Sequence, residues 1–315
     1  MKTLLLSAAL GALCLASPAP AASLPDADPA LWQVRDEDTT IYLFGTFHAM
    51  DGKADWFNDE VKEAFDRSQE LVVEAIIPED QSKLQPVVMK YALDKSGRTL
   101  TSRLSPDGRK KLAAALAAMG APANAFDGYK PFFASMVLTM NEMGKQGMAA
   151  AKGTEAALSK AAKDAGKPVG ELENVEFQMA MFDRLSEDDQ VRSLETLLAT
   201  LPTVPKETQR MLAAWNKGDA AGFKAIMNES EKQGPGVYKV IFSDRNATWA
   251  DWIDKRLDKP GTVFLAVGTG HLAGKDSVQD WLAKRQIAVA RVNYLNTPGQ
   301  AASLPGLAHA FTVPT

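Results

Sequence analysis

The chain has 315 residues, 46% of them hydrophobic, enough to bury a sizeable core as one large domain or two small ones. Its formal charge is −4, with 35 basic and 39 acidic residues spread along the chain, so no basic excess points to nucleic acid. A single cysteine excludes a disulfide framework within the chain.

Residues 1–21 have the pattern of a secretory signal peptide. Lys2 supplies a positive start, Leu4 to Leu15 is an apolar stretch too short to span a bilayer, and Ala19-Pro20-Ala21 is a small-x-small cleavage pattern. Cleavage is expected after Ala21. Cys14 lies within the apolar stretch and follows Leu13, not the small residue of a lipoprotein signal. The expected mature chain, 22–315, then has no thiol for nucleophilic catalysis or metal ligation. No second long apolar run follows. The expectation is an exported protein, periplasmic or secreted, with no stable membrane insertion after cleavage; the pattern specifies no oligomeric state.

Asp26 to Pro29 is a polar lead-in. Thr40 to Gly45 (TIYLFG) is β-branched, aromatic and apolar and stops at a glycine, which predicts a strand. Asp55 to Arg67 has helical spacing at Phe57, Val61, Ala64 and Phe65. Leu71 to Ile77 (LVVEAII) reads as a strand buried on both faces, with Glu74 in its middle. From Gln81 to Gly147 the pattern is helical. Ser105-Pro106-Asp107 starts one helix with a cap and a proline at its first position. Phe126 to Met143, rich in Phe and Met, reads as a core helix. Thr154 is placed to cap a helix running to Ala165, and Gly166-Lys167-Pro168 turns into a short strand, Val169 to Leu172. Ser186 to Lys259 is again helical. Thr262 to Val267 (TVFLAV) is a strand ending at Gly268, followed by a helix over Lys275 to Arg285 and a strand over Ile287 to Val292. The tail from Asn296 is rich in Pro, Gly and Ala.

The first and last thirds therefore share a plan of strand, Gly-x-x-His turn, helix and strand. This predicts an α/β fold, with an α+β-like segregation: a mixed, mostly parallel central sheet from two β-α-β halves in one 22–315 domain. A large helical insertion is expected at about 81–258.

Three histidines occur, His48, His271 and His309, and each has a glycine three positions before it. The spacing alone is uninformative, because Gly306 and His309 share it within the irregular tail. Context separates the other two. A glycine at the carboxyl end of a strand lets the backbone turn sharply, and ligands of open α/β sheets bind beyond those ends. An imidazole there can hold a metal or move a proton near neutral pH; the plainer reading is a pair of histidines bonded to nearby backbone. Glu74 needs a partner if it is buried, since an unpaired buried carboxylate is costly. Glu173 lies just past the Val169 strand, and Arg245 sits on a helix rich in apolar and aromatic residues. Two histidines with one or two carboxylates suit Zn, Mn, Co or Fe by ligand type.

The order of motifs resembles the TraB/GumN family, which includes the PrgY pheromone-shutdown proteins and the Tiki proteases. The matching stretches begin with Pro29-Ala30-Leu31-Trp32, Tyr42 to His48 and Leu71-Val72-Val73-Glu74. They continue with Gly153-Thr154-Glu155, Gly166 to Val169, Leu172-Glu173-Asn174 and Glu176-Phe177-Gln178. Arg245-Asn246 with Trp249-Ala250, and Val263 to Gly274, complete the set. The resemblance implies a site made of His48, Glu74, Glu173 and His271, with Arg245 as a companion. Two positions depart from the usual pattern: Glu155 stands where many members have Asp, and Asn174 where many have Thr. Tiki relatives are metal-dependent proteases of the Mn/Co type, and the wider clan includes erythromycin-esterase-like enzymes and ChaN-like haem or iron binders.

The expectation is a metal-dependent hydrolase acting on a peptide or small acyl substrate. His48, His271, Glu74 and Glu173 are the candidate ligands of a divalent metal (Mn, Co or Zn), and Glu74, Glu173 and Arg245 the candidate catalytic groups. A metal-free variant uses a histidine as base. The alternative is a non-catalytic binder of a peptide, haem or metal in the same crevice.

Overall fold

The computed structural model describes residues 23–78 and 80–294. The expected signal segment with Cys14, His309 and the tail from Asn296 lie outside them. Six strands form one sheet: β1 (Leu31–Arg35), β2 (Thr39–Thr46), β3 (Glu70–Val73), β4 (Val169–Glu171), β5 (Gly261–Gly268) and β6 (Ala290–Arg291), in the order β4-β3-β5-β2-β1-β6. β2, β3, β4 and β5 pair in parallel; β1 runs against β2 and against β6. The expected mixed, mostly parallel sheet is therefore present.

The two central strands are those with the strongest sequence signal. β2 and β5 pair from Thr39 with Gly261 to Thr46 with Gly268. Alternate side chains feed two separate cores. Phe44, Leu71, Val73, Phe264 and Ala266 pack on one face with Trp56, Phe65 and Trp215. Ile41, Leu43, Val72, Val263 and Leu265 pack on the other with Trp249, Ile253 and Leu282. Burial on both faces is why these strands read as nearly continuous apolar runs.

The two strand-helix-strand pieces both start in the sheet centre and end on opposite sides. β2 leads through the Asp59–Arg67 helix to β3, beyond β5. β5 leads through the Val278–Lys284 helix to β6, beyond β1. Between β3 and β5 lies the helical stretch. Part of it has its own core, in which Leu100, Leu116, Leu138, Leu194 and Leu198 from four helices meet. The stretch is not wholly apart from the sheet: it supplies β4, and its Asp244–Leu257 helix packs Trp249 and Ile253 on the sheet face.

Several expected boundaries shift for local reasons. β3 stops at Val73, so Glu74 lies just past the strand and not in its middle. The apolar residues beyond it, Ile76 and Ile77, are exposed, so that part of the run is not core. The last strand shrinks to Ala290–Arg291. The last helix begins at Val278, capped by the Ser277 side chain, which accepts from the Asp280 N–H at 3.2 Å. Ser105 caps the Pro106–Ala118 helix as its sequence indicated.

The Thr154–Asp164 helix starts differently from expectation. Its cap residue is Gly153, and Thr154 is its first helical residue. A Cβ on Gly153 would lie 2.2 Å from the His48 carbonyl oxygen, so only glycine admits this approach. Gly144, on the Pro131–Lys145 helix, has open space around its Cα. Gly153→Ala should therefore lower stability by about 1–3 kcal/mol through overpacking. Gly144→Ala should leave it unchanged or raise it by up to about 1 kcal/mol. Urea denaturation of both variants checks the contrast; equal effects would contradict the assigned contact.

Candidate functional site

The carboxyl ends of β2, β3, β4 and β5 lie side by side, and each delivers one expected residue just past its end: His48, Glu74, Glu173 and His271. The two glycine turns are joined directly. The Thr269 hydroxyl donates to the Thr46 carbonyl at 2.8 Å, and a Cβ on Gly45 would fall 2.9 Å from the Thr269 hydroxyl oxygen. The chain after β4 is tied to that after β3, where the Glu173 N–H donates to the Glu74 carbonyl at 2.8 Å.

Arg245 projects from the first turn of the Asp244–Leu257 helix into this cluster and uses all five of its N–H donors. Nε donates to both Glu173 carboxylate oxygens at 3.0 and 3.1 Å. Nη2 donates to Glu173 Oε2 and to Glu74 Oε2, each at 2.7 Å. Nη1 donates to the Ile241 carbonyl and to His271 Nε2, each at 3.1 Å. Ile241 lies in a π-helical turn, Lys239–Ser243, an irregularity common at functional sites. The guanidinium stacks on Trp249, 4.6 Å from the ring centre, and the Trp249 indole N–H donates to Glu173 Oε1 at 3.0 Å.

Glu74 is 8% exposed. Its Oε1 accepts the Gly268 N–H at 2.6 Å, and its Oε2 accepts from Arg245 and from the Gln178 amide at 3.2 Å. Burial disfavours its charge, but His271, Arg245, His48 and the Gly268 N–H outweigh that and hold its carboxyl down at about 2.

His271 is buried and its tautomer follows from its partners. The Asn246 amide donates to the Asp276 carbonyl at 2.8 Å, which turns the Asn246 oxygen towards His271 Nδ1 at 2.6 Å. Nδ1 therefore carries the proton, and the Nε2 lone pair faces Arg245. Burial, with Arg245 and His48 adding to it against the pull of Glu74, holds the imidazole neutral down to about 3.

His48 has the opposite setting. Its side chain is 68% exposed. Nδ1 contacts Glu155 Oε1, which also takes a hydrogen bond from the Thr46 hydroxyl. The surrounding protein opposes a charge on the ring, but Glu155 and then Glu74 overcome this and raise the imidazole to about 9. Gly153-Thr154-Glu155 delivers that carboxylate. Gly153 admits the helix, the Thr154 hydroxyl accepts from the Phe47 N–H at 2.9 Å, and Glu155 reaches His48 from the first helical turn. The free edge of the ring points at Gly268: a Cβ built there would lie 3.3 Å from His48 Nε2 and 3.1 Å from Glu74 Oε1.

All five expected residues thus gather at one place, but not as one chelate. Glu173 is committed to Arg245 and Trp249, and the His271 lone pair to Arg245. Among the described residues, the group of three or more metal-ligating side chains whose donor atoms all lie close together is Asp26, Asp28 and Asp59, none of them a residue of this cluster. The two atoms that face outward together beside Gly268 are His48 Nε2 and Glu74 Oε1. Glu155, Asn246, Gln178 and Trp249 complete the site. For Glu155 the available signal was the Gly153-Thr154-Glu155 stretch of the family resemblance. Asn174 instead caps the Val175–Asp183 helix, accepting from the Phe177 N–H at 2.8 Å.

Removing Arg245 would leave Glu74 and Glu173 facing each other in a buried space. Arg245→Met should cost about 3–5 kcal/mol at pH 7. The loss should shrink at pH 5, where Glu74, no longer held down by Arg245, takes up a proton more readily. Wild type has the opposite slope. Glu74 is depressed from 4.5 to about 2 and His271 from 6.5 to about 3, so the unfolded chain binds more protons throughout that range. Wild-type stability should therefore fall as the pH drops from 6.5 towards 2. Denaturant titrations at pH 7 and 5 check both signs; a loss below about 1 kcal/mol for Arg245→Met at pH 7 would contradict the assigned role.

Comparison with known proteins gives this arrangement a family. The model of the TraB/PrgY/gumN family matches residues 30–291. The chain is 29% identical over 183 residues to the uncharacterized protein YbaP of Escherichia coli (strain K12), covering 58% of this chain and 67% of that protein; the Shigella flexneri YbaP matches equally. It is 21% identical over 272 residues to an uncharacterized protein of Treponema pallidum (strain Nichols), covering 81% of this chain and 80% of that one. The match spans all six strands and every residue of the cluster, and the chain belongs to the TraB/PrgY/gumN family.

Proposed function

We propose that this chain is an exported, peptidase-like hydrolase that acts on a peptide or another small acyl bond with the aid of a divalent metal. The observation that carries the reading is the convergence of His48 Nε2 and Glu74 Oε1 beside Gly268, at the open end of the sheet. Only a glycine leaves that space clear. The other residues have supporting roles: Glu155 orients His48, Arg245 and the Gly268 N–H orient Glu74, and Glu173 and His271 hold Arg245.

Glu74 with a carboxyl near 2, and His48 with an imidazole near 9, are charged at neutral pH. Glu74 is then a weak base, although it is placed to accept a hydrogen bond from water. His48 must lose its Nε2 proton before that nitrogen can hold a metal. Activation of water is the function these two side chains lack. The donor set fits Mn, Co or Zn at two points, His48 and Glu74, and a divalent ion bound there would supply Lewis acidity for that step. The carboxylate behind His48 is the usual outer partner of a metal-binding imidazole. Arg245 has no N–H left to stabilise developing charge, so its role is to position Glu74.

His48→Ala should lower hydrolysis of a responsive peptide or ester at least about 100-fold. The fold should be unaffected, because the ring is solvent-facing. Binding of added Mn, Co or Zn should tighten as the pH rises towards 9, since the ion competes with the His48 proton. A broad peptide and ester panel, assayed with and without each metal, checks both. Saturable ligand binding without turnover under any condition would favour a non-catalytic binder of a peptide, haem or metal. Export is supported by the pattern of residues 1–21. Among the described residues, no helix is long and apolar enough to cross a membrane. Sequencing the mature protein from its native host should give an N-terminus at or near Ala22; retention of Met1 would contradict export by this signal.

A further inference from the structure

Beside the polar cluster lies a cavity of about 550 Å³ that shares Glu173 and Arg245 with it. The rest of its wall is largely apolar, with Leu172, Phe177, Met181 and Val240 facing the space. Phe177 is 41% exposed, one of few large apolar side chains so open to solvent. Most charges on this wall are already matched. Glu173 and Arg245 neutralise each other, and Asp244 is paired with Lys239. Arg184 is the exception. Its guanidinium lies over the Phe177 ring, 5.4 Å from the centre, and no acidic group among the described residues pairs with it. An apolar pocket of this size with one unmatched cation at its wall suits an apolar group that carries an anion.

We infer that this cavity is the subsite for the carboxy-terminal end of the substrate, taking a large apolar residue against Phe177, Met181 and Leu172, with its free carboxylate on Arg184. The inference rests on the hydrolase reading for the reaction but not for the binding. Its position is consistent with that order: Arg245 borders the cavity and bonds Glu74, so a residue seated there lies next to the polar cluster. Charge separates this ligand from a neutral apolar one. An amide-capped peptide keeps the ring contacts but gives Arg184 nothing to neutralise.

The test is a binding measurement on the mature His48→Ala protein, so that turnover does not intervene. Calorimetry with benzoyl-Gly-Phe and with benzoyl-Gly-Phe-amide should show the free acid binding about tenfold more tightly, the value of one charge-assisted contact. Arg184→Gln should abolish the difference by weakening the acid alone. Phe177→Ala should weaken both ligands and keep the difference. A long-chain fatty acid probes the other source of an apolar carboxylate, and tighter binding of it than of the peptide acid would overturn the peptide assignment. Equal affinity for acid and amide, no binding of either, or a preference for the acid that survives Arg184→Gln would also overturn it. Discriminating binding in a protein whose wild type hydrolyses nothing would leave the subsite standing and remove the hydrolase reading.

Discussion

The arrangement at the top of the sheet depends on the buried guanidinium of Arg245. Two carboxylates from neighbouring strand ends, Glu74 and Glu173, are almost wholly out of water. Neither tolerates that position charged without a partner. Arg245 supplies both with hydrogen bonds and spends its remaining donors on His271 and a backbone carbonyl. The planar fork makes the arrangement directional as well as neutralising, and a lysine could not reproduce it. Buried ion clusters of this kind are seldom the most stable solution for a core. Their value here is positional: Glu74 is fixed with one oxygen on Arg245 and the other beside the open turn at Gly268.

That constraint also explains why two like motifs give unlike histidines. Both follow strands that lie side by side in parallel, and Thr269 bonds across to Thr46. His271 falls on the Arg245 side, where burial and a cation keep it neutral and its lone pair engaged. His48 falls on the solvent side, where Glu155 holds one ring nitrogen and the other is left facing Glu74. Of the candidate residues, His48 and Glu74 thus present atoms outward beside Gly268, while Glu173 and His271 bond to Arg245. The frame around Arg245 is a hydrogen-bond network in its own right: Asn246 sets the tautomer of His271, and the Asp276 carbonyl sets the orientation of Asn246.

What could be read directly from the chain was whatever local pattern determines. β2 and β5 are β-branched, apolar and glycine-ended, and the structure has them within a residue or so of their expected limits. Glu74 was legible as a carboxylate needing a partner. Its place at a strand end was not, because an apolar run does not show where burial stops, and Ile76 and Ile77 continue it into solvent. Thr154 looked like a helix cap because its hydroxyl had no visible competing use. That use is the Phe47 N–H, 107 positions away. The same separation hides Glu155 from His48. Arg245 was legible as a charge on a helix rich in apolar and aromatic residues, but nothing in that helix marks it as the group on which two distant strands converge.

The central claim is that His48 is the reactive imidazole and His271 a fixed structural one. Long-range proton–nitrogen NMR of the imidazole rings in the protein tests this directly. The account predicts that His48 is protonated at pH 7 and loses its proton near pH 9, while His271 stays neutral from pH 8 to 5 with its proton on Nδ1. A His271 that takes up a proton between pH 6 and 7, or that carries its proton on Nε2, would contradict it.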